Sequence, residues 1–398
     1  MKLTKKLKIK ISKKDADRLE KQSNLCRVLY NTALEQRIMV WKGQRKSLSV
    51  YDQKKELPEL KDELPEFKQI YNKYLSETLF RLENTFKSFF QRCKEGKEKK
   101  GFPRFRGKHY FFTLTCSGMY IKRINSKTLQ LPQKIIVKTY EDIPNKFGEV
   151  NIIKKNGQWY VTLVIEVEET IPDKLNNGII GIDLGLKKLV TGVTTDNKII
   201  ERTHRKPTRK ELNRLDNLRS KRDRCIKGSR RYNFLTFRLK KEGEKWRNRM
   251  IDWLHKVSYF LTNQTERILV IGKLDQRNMI SENKKLNRYV QNEWRLGKFK
   301  EFLKYKCKKF GKELVEIDER YTTQDCFICG KREKKLLSQR KHKCECGFEI
   351  DRDINSSLNI LKRYLLGLSH VPELNKFWDY VLEKSRNLNI AIEEFEYI

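Results

Sequence analysis

The chain has 398 residues, of which 38% are hydrophobic and 11% aromatic, so a disordered chain is excluded and two or three domains are expected. No stretch approaches the roughly 18 to 20 apolar residues of a membrane span, and the basic N-terminus lacks the apolar core of a signal peptide. We therefore expect an intracellular protein with no membrane partner. The 89 Lys and Arg against 51 Asp and Glu give a net charge of +38, which predicts a nucleic-acid partner.

The N-terminal part shows the pattern of a small β-barrel that carries a helical insertion. Lys2 to Ile11 alternates between apolar and polar residues and is predicted to be a strand. Helical spacing follows from about Asp15 to Cys93, interrupted over 46–66, and its aromatic stripe, which ends at Phe89 and Phe90, is interpreted as helix core. Short strands are predicted over 110–116, 120–124, 128–131, 134–139, 149–155 and 158–167, with Asn156-Gly157 as a hairpin turn.

The C-terminal part has the element order of an α/β RNase H-like fold. Strands are predicted over 179–183, 188–194 and 198–202, followed by a basic helical stretch over 210–262, a strand over 268–271, a helix over 292–310, a strand over 313–317 and a helix over 351–366. Three antiparallel strands followed by helix-strand-helix-strand-helix is the order of that fold. Residues 369–398 are predicted to form a helical tail.

Two aspartates lie where this fold places metal ligands. Asp183 sits between apolar residues of the first strand, and an aspartate in that setting needs a strong partner. A two-metal nuclease requires two or three carboxylates that converge on Mg²⁺ ions about 3.5 to 4 Å apart. At the start of the last helix, Asp351 is expected to cap the helix, whereas Asp353 lies deeper and is the candidate ligand.

Four sequence strings resemble those of one protein family. Gly181-Ile182-Asp183-Leu184-Gly185 and Asp351 to Ile360 resemble the first and third RuvC motifs of the TnpB proteins of insertion sequences, whose relatives are the Fanzor proteins and the type V CRISPR effectors. Gly101-Phe102-Pro103-Arg104-Phe105 is similar to the same family's signature after its helical lobe, and Tyr321 to Gln324 is similar to its residues before the cysteines. The resemblance covers about residues 1 to 365.

The resemblance implies an RNA-guided DNA endonuclease with a RuvC-like, Mg²⁺-dependent site. Its partners would be a guide RNA made at the transposon end and double-stranded target DNA, which is read beside a short adjacent motif. The protein would act at DNA: in the cytoplasm or nucleoid of a prokaryote, or in the nucleus or viral factory of a eukaryotic or viral system.

The second carboxylate departs from the family's pattern. The second RuvC motif ends its strand with Glu, whereas this chain has Gly272 there, and glycine cannot bind a metal. Glu319, just past the next strand, is the candidate replacement, because the carboxyl ends of parallel strands share one crevice. Some TnpB and Fanzor branches are similar in carrying a rearranged Glu near this position. Asp275 and Asp318 are the rival donors.

Four clustered cysteines predict a structural zinc site. Cys326 and Cys329 form a CxxC pair, Cys344 and Cys346 form a CxC pair, and four thiolates make a closed tetrahedral site. The odd total of nine cysteines argues against a disulfide framework. His342 is an alternative ligand. Basic residues of the cluster are expected to face nucleic acid: Lys331, Arg332, Lys334, Lys335, Arg340 and Lys341.

Two further regions are predicted to contact nucleic acid. The helices over 206–249 carry cations on both sides of an apolar stripe, which suits a channel for an A-form heteroduplex. Residues 97–112 mix cations with aromatics, a combination suited to phosphates and stacked bases.

These observations predict an ordered set of domains. They are residue ranges 1–12 (first strand of a wedge β-barrel), 13–100 (helical recognition lobe), 101–176 (rest of the barrel), 177–322 (RuvC-like domain, first part), 323–348 (zinc knuckle), 349–366 (RuvC-like domain, last part) and 367–398 (helical tail). The expected activity is Mg²⁺-dependent DNA cleavage by Asp183, Glu319 and Asp353. The alternative is an RNA-guided DNA-binding repressor with an inactive nuclease site, which Gly272 favours. A DNA-joining transposase is a third possibility, which the resemblance disfavours.

Overall fold

A computed structural model describes residues 1–108, 110–171, 175–205, 208–274, 287, 290, 294–336 and 339–367. The predicted C-terminal helical tail and Asp275 lie outside these residues. The chain divides into two compact units, Met1–Val167 and Glu168–Ile398. Within the described ranges, no helix is long and apolar enough to cross a membrane.

The first unit is built on a seven-stranded antiparallel sheet. Its strands are β1 (Lys2–Ile11), β2 (Leu114–Ser117), β3 (Lys122–Asn125), β4 (Thr128–Leu131), β5 (Ile135–Thr139), β6 (Glu149–Lys155) and β7 (Gln158–Glu166), in the order β2-β6-β7-β1-β5-β4-β3. Asn156 and Gly157 have φ angles of 50° and 73°, as the predicted tight hairpin requires. Among the described residues no ladder joins β2 to β3, so the closed barrel stays a prediction.

The strand predicted over 110–116 begins later, at Leu114. Ser23 explains the difference, because its Oγ accepts a hydrogen bond from the Phe112 amide at 2.7 Å and donates one to the Phe112 carbonyl at 2.8 Å. A helix side chain thus satisfies the backbone groups that a sheet ladder would otherwise pair. The strand predicted over 120–124 likewise begins at Lys122, after a short 3-10 turn.

Helices α1 (Lys13–Gln44), α2 (Val50–Lys55), α3 (Leu57–Glu63) and α4 (Asn72–Lys94) follow β1. Ser12 caps α1, and Pro58 lies in the first turn of α3, where proline is tolerated. The segment predicted to interrupt the helices therefore contains two short helices. The core assignment of the aromatic stripe is wrong for Phe90, which is about half exposed and stacks with Phe86 and Phe89.

The second unit contains a five-stranded mixed sheet. Its strands are β8 (Asn176–Asp183), β9 (Lys188–Thr194), β10 (Ile199–Thr203), β11 (Glu266–Gly272) and β12 (Glu313–Ile317), in the order β10-β9-β8-β11-β12. β8, β9 and β10 are antiparallel neighbours, whereas β11 runs parallel to both β8 and β12. The C-terminal ends of β8, β11 and β12 therefore lie side by side at one edge of the sheet.

Helices cover both faces of this sheet. They are α6 (Arg230–Thr262), α7 (Leu296–Lys309) and α8 (Arg352–Gly367), whereas α5 (Arg209–Asp223) packs against α6. Leu269 and Ile271 of β11 pack with α6 and α7, whereas the intervening Val270 packs with α8. Burial on both faces explains why β11 is a continuous apolar run. At the centre of β8, Gly181 permits the close approach of α8, because a Cβ there would lie 2.6 Å from the Leu361 Cβ.

Two predicted helices of this unit have different bounds. The stretch predicted as helical over 210–262 is two helices, α5 and α6, separated by a turn whose last residue, Ser229, caps α6. The helix predicted over 292–310 begins at Leu296. A short hairpin pairs β13 (Lys341–Lys343) with β14 (Glu349–Asp351), carries Cys344 and Cys346 between its two strands, and precedes α8.

Candidate active site

Asp183, the last residue of β8, is the first carboxylate at this edge of the sheet. Its Oδ1 accepts a hydrogen bond of 2.9 Å from Ser356 Oγ on α8. Burial raises the pKa of Asp183 to about 7, and the negative charges of Asp353 and Glu319 act in the same direction. The Ser356 hydrogen bond and the Arg352 charge oppose that rise. The effect of burial on the Asp183 pKa therefore outweighs the Ser356 hydrogen bond and the Arg352 charge.

The Glu319 side chain lies over Gly272, the last residue of β11. A Cβ built on Gly272 would lie 2.8 Å from both the Cβ and the Cδ of Glu319, and closer still to its Oε2. Gly272 pairs with Ile317 of β12, so the chain leaves β12 beside Gly272 and places Glu319 two residues later. The carboxylate thus occupies the space that a side chain on residue 272 would enter.

The Glu319 carboxyl group is poorly compensated. Within the described residues its buried Oε2 has no hydrogen-bond partner. Burial raises the pKa of Glu319 to about 7; the Lys300 charge opposes this rise and the Asp318 charge adds to it. Lys300 itself donates to the Gly272 carbonyl at 3.1 Å and to Glu316 Oε2 at 2.9 Å. A buried acceptor without a partner is uncommon, and sites of this kind attract a cation or an ordered water.

The third carboxylate, Asp353, is buried in the first turn of α8. Arg352 Nε lies 3.9 Å from its Oδ1. Asp351 has the capping role predicted for it, because its Oδ1 accepts from the backbone amides of Asp353 at 2.8 Å and Ile354 at 3.3 Å. Its Oδ2 also pairs with Lys188 at 3.2 Å, so Asp351 is engaged in a structural role.

Asp183 interacts electrostatically with both Glu319 and Asp353, but the three carboxylates do not converge on a single position. Both Glu319 and Asp353 raise the pKa of Asp183, yet the three do not form a set whose ligand oxygens lie within 4.8 Å of one another in the described part of the chain. Carboxylates that serve two ions about 3.5 to 4 Å apart are spread more widely than those that serve one. Of the rivals, Asp318 is exposed and accepts a hydrogen bond from the Arg320 amide at 3.0 Å.

Buried hydroxyl groups connect the carboxylates, and the sequence reasoning missed them. Ser356 Oγ, which donates to Asp183, lies 2.9 Å from Thr322 Oγ1, and Thr322 Oγ1 donates to the Glu319 carbonyl at 2.9 Å. This series of hydrogen bonds links Asp183 at the end of β8, through Ser356 of α8, to the loop after β12. The available signal was the run of small polar residues at 355–357 on a helix that otherwise buries apolar residues.

Two asparagines of α8 fix the loop that carries Glu319. Asn355 Nδ2 donates to the carbonyls of Thr322 at 3.2 Å and Asp325 at 2.9 Å, and Asn359 Nδ2 donates to the same carbonyls at 2.9 and 2.8 Å. Asn355 Oδ1 also accepts from the Phe327 amide at 3.2 Å. Both side chains are buried, so these bonds are shielded from water. The motif after Asp353 therefore attaches the loop, and the cysteine-bearing segment that follows, to α8.

The four predicted cysteines come together. Their Sγ atoms all lie within 4.8 Å of one another, with 3.7 Å between Cys326 and Cys346 and 3.5 Å between Cys329 and Cys344. Tetrahedral zinc with Zn–S bonds of about 2.3 Å separates its sulfur ligands by about 3.8 Å, so the arrangement fits zinc. His342 is buried outside this set and packs near Phe348, so the alternative ligand is wrong for the described structure.

Ion pairs occupy part of the basic surface predicted around the cysteines. Arg332 pairs with Asp325 at 2.6 Å, and Lys341 pairs with Glu349 at 3.1 Å. Lys331 pairs with Glu345. Paired cations attract a polyanion less strongly than free ones. The cysteine-bearing segment should therefore attract nucleic acid less strongly than its number of basic residues suggested.

Helices α5 and α6 enclose a groove of about 850 Å³ with a basic lining. Several of its cations have acidic partners: Arg214 and Lys245 pair with Glu242, and Arg249 pairs with Glu211. The groove retains cations in excess of acids among its lining residues, which include Arg209, Lys210, Lys221 and Arg238.

Two family models and several named proteins are similar to this chain. A family model described as a probable transposase, OrfB of IS605, matches residues 162–283, and a model described as the Cas12f1-like TNB domain matches residues 297–360. A relative from Streptomyces pristinaespiralis, named as a candidate RNA-guided DNA endonuclease, is 27% identical over 361 residues, which are 87% of this chain and 85% of that protein.

Two further similarities concern a viral protein and a solved structure. The TnpB-like protein L79 of Acanthamoeba polyphaga mimivirus is 28% identical over 62% of this chain, and the match spans 46% of the viral protein. The structure of the mini-RNA-guided endonuclease CRISPR-Cas_phi3 shares the fold, with a TM-score of 0.52 and 10% identity over 91% of this chain and 92% of that chain. The chain thus shares the fold of that Cas protein. Its sequence is similar to TnpB-type proteins, in agreement with the resemblance of its motifs.

Proposed function

We propose that this protein is an RNA-guided DNA endonuclease with a RuvC-like site formed by Asp183, Glu319 and Asp353. One observation carries the proposal: Glu319 occupies the space beside Gly272 that a carboxylate on β11 would otherwise fill. The carboxylate of Glu319, which follows the neighbouring strand β12, therefore lies where the glutamate missing from β11 would place its own carboxylate. The relatives named for this activity and the Cas12-like fold support the same conclusion.

The carboxylates fit a divalent cation. Glu319 Oε2 is buried without a partner in the described structure, and burial raises the pKa values of Asp183 and Glu319 to about 7. Among the described residues, Lys300 at Glu319 and Arg352 at Asp183 supply the positive charge that opposes these rises. Oxygen ligands of this kind suit Mg²⁺, and we propose that the site holds two such ions.

When bound, Mg²⁺ would supply an acidified water as the nucleophile and would neutralise charge on the leaving oxygen. The residues of this chain supply the positioning. Ser356 holds Asp183 Oδ1 by a hydrogen bond, and Thr322 links Ser356 to the backbone of Glu319. Asn355 and Asn359 fix the same loop from α8, so both carboxylates are oriented by one helix.

The sheet order β10-β9-β8-β11-β12, with β11 and β12 parallel to β8, supports an RNase H-like assignment for residues 177–322 and 349–366. We assign the antiparallel sheet of the first unit to a wedge-type barrel and its helices, within 13–100, to target recognition. The proposed partners are a guide RNA from the transposon end and double-stranded target DNA, and the groove between α5 and α6 is proposed to contact their backbones.

The zinc site is proposed to be structural. Four thiolates leave no open coordination position, and the module begins directly after Asp325, whose carbonyl is held by α8. Zinc at this position would stiffen the segment that follows the Glu319 loop. We propose a Fanzor-like branch of the family for this chain, because its glutamate is displaced from β11 to the loop after β12.

An inactive DNA-binding repressor is the second candidate, and Gly272 is the observation that favours it. The test uses protein co-purified with its own RNA, a plasmid that carries the matching target, and Mg²⁺. We expect the wild type to cut the plasmid, and Asp183→Asn and Asp353→Asn to bind the same target without cutting. A wild-type complex that binds its target but never cuts would support the repressor.

A further inference from the structure

We propose that Tyr321 and Arg332 form a stacking platform for an unpaired base of the DNA strand at the active site. Tyr321 is 48% exposed and follows Glu319 by two residues. Its backbone has a φ of 66°, in the left-handed region that a bulky side chain rarely adopts. This inference rests on the proposed function, because the platform would serve the strand that the carboxylates cut.

The platform is held rigidly. The Tyr321 carbonyl accepts hydrogen bonds from the amides of Gln324 and Asp325, both at 2.8 Å. The Arg332 guanidinium carbon lies 3.9 Å from the centre of the Tyr321 ring. Asp325 orients that guanidinium through contacts of 2.6 and 3.3 Å, and Arg363 of α8 holds Asp325 at 3.0 Å. One side of the ring is therefore covered by a fixed cation.

The exposed ring contributes little to the folded core. Tyr321 belongs to no buried cluster of the described residues, although it occupies a backbone conformation in which glycine would be less strained. An aromatic ring kept in a strained and exposed position is typical of a residue retained for a ligand. Aromatic rings and arginine are the side chains on which unpaired bases stack.

The position of Tyr321 in the chain, next to the loop that carries Glu319, indicates which ligand the ring would bind. Two residues of extended chain span at most about 7 Å, so the Cα atom of Tyr321 lies within about 7 Å of the Cα atom of Glu319. Thr322, the next residue, is hydrogen-bonded to Ser356, which holds Asp183. A base on this platform would thus belong to a nucleotide near the phosphate at the carboxylates. A base within a duplex has no free face, so the ligand is single-stranded DNA.

The first test measures stacking without cleavage. The full-length protein with its RNA, carrying Asp183→Asn, is bound to target DNA in which 2-aminopurine replaces one base at a time near the cut site. We expect one position at which the fluorescence is quenched, with recovery in Tyr321→Ala and continued quenching in Tyr321→Phe. If no position depends on residue 321, the platform does not exist.

The second test measures single-turnover cleavage. Tyr321→Ala removes the ring on which the base stacks, so its cleavage rate should fall by about tenfold. The cleavage rate of Tyr321→Phe should stay within about twofold of wild type. A target lacking the base at the quenched position should be cut equally slowly by wild type and Tyr321→Ala. If that target still distinguishes the two proteins, the ring does not act through the base.

Tyr321→Gly separates a ligand role from a structural one. Glycine relieves the left-handed backbone but removes the ring, so we expect a Tm at or above that of wild type together with slow cleavage. Wild-type cleavage by this variant would overturn the proposal. If the wild-type complex itself fails to cut, the proposed nuclease function fails, and the fluorescence experiment still decides whether Tyr321 stacks on a base.

Discussion

The substitution Gly272→Ala tests the arrangement of Gly272 and Glu319 in atomic detail. The new Cβ would lie 2.8 Å from the Cβ and Cδ of Glu319 and closer still to Oε2, whereas ordinary contacts begin at 3.4 Å. The carboxylate must therefore move by about 1 Å or more. A misplacement of about 1 Å in a catalytic group lowers the rate by about 100-fold, equivalent to about 2.7 kcal/mol in the barrier.

The matched control is Gly297→Ala on α7. No atom lies within 4 Å of a Cβ at Gly297, and alanine favours a helix, so this variant should cut like the wild type. Both variants are compared in single-turnover cleavage of target DNA by the RNA-bound protein, with Tm measured in parallel. Cleavage by Gly272→Ala within about threefold of wild type would refute the proposed role of the Glu319 carboxylate, because a displaced metal ligand cannot leave the rate unchanged.

Three further predictions concern metals and packing. Removal of zinc by a strong chelator, or Cys329→Ser, should lower Tm by roughly 5 °C or more in differential scanning fluorimetry; an unchanged Tm would contradict a structural metal. The pKa values of Asp183 and Glu319 are raised to about 7, so the native protein binds protons that the unfolded chain releases near pH 4. The metal-free protein should therefore lose stability between about pH 4 and 7, and Mg²⁺ should raise Tm more at pH 8 than at pH 6; equal shifts would exclude these carboxylates as ligands. Gly181→Ala should destabilise the fold by about 1–3 kcal/mol in urea unfolding, because its Cβ would lie 2.6 Å from both the Leu361 Cβ and the Ser357 carbonyl oxygen; stability equal to that of wild type would contradict this close packing.

The individual strands of the second unit were accessible from the sequence, and Asp183 and Asp353 could be proposed as ligands, because both depend on local patterns. Alternation and apolar runs indicated β8 to β12, and the position of Asp183 at the end of a buried strand indicated an active-site carboxylate. The cysteine spacing indicated the metal cluster, which the sulfur positions support. These patterns involve residues that are close in sequence, so they can be recognised without the tertiary structure.

Other features depend on contacts between distant residues. The order of the strands placed Glu319 near Gly272. That its side chain fills the space where a Cβ on residue 272 would lie is a tertiary contact, which the sequence does not reveal. The Ser356–Thr322 connection and the asparagine bonds of α8 join segments more than 25 residues apart. The late start of β2 likewise depends on Ser23, 89 residues from Phe112. Tertiary contacts of this kind leave little trace in local sequence patterns.

The most direct measurement compares Glu319→Gln with Asp318→Asn in the cleavage of target DNA by the RNA-bound protein and Mg²⁺. The two acids are neighbours, but Glu319 lies against Gly272, whereas Asp318 is exposed. We predict a loss of at least about 100-fold for Glu319→Gln, because a metal ligand contributes several kcal/mol, and cleavage within about threefold of wild type for Asp318→Asn. Wild-type cleavage by Glu319→Gln would contradict the assignment of Glu319 as the second carboxylate.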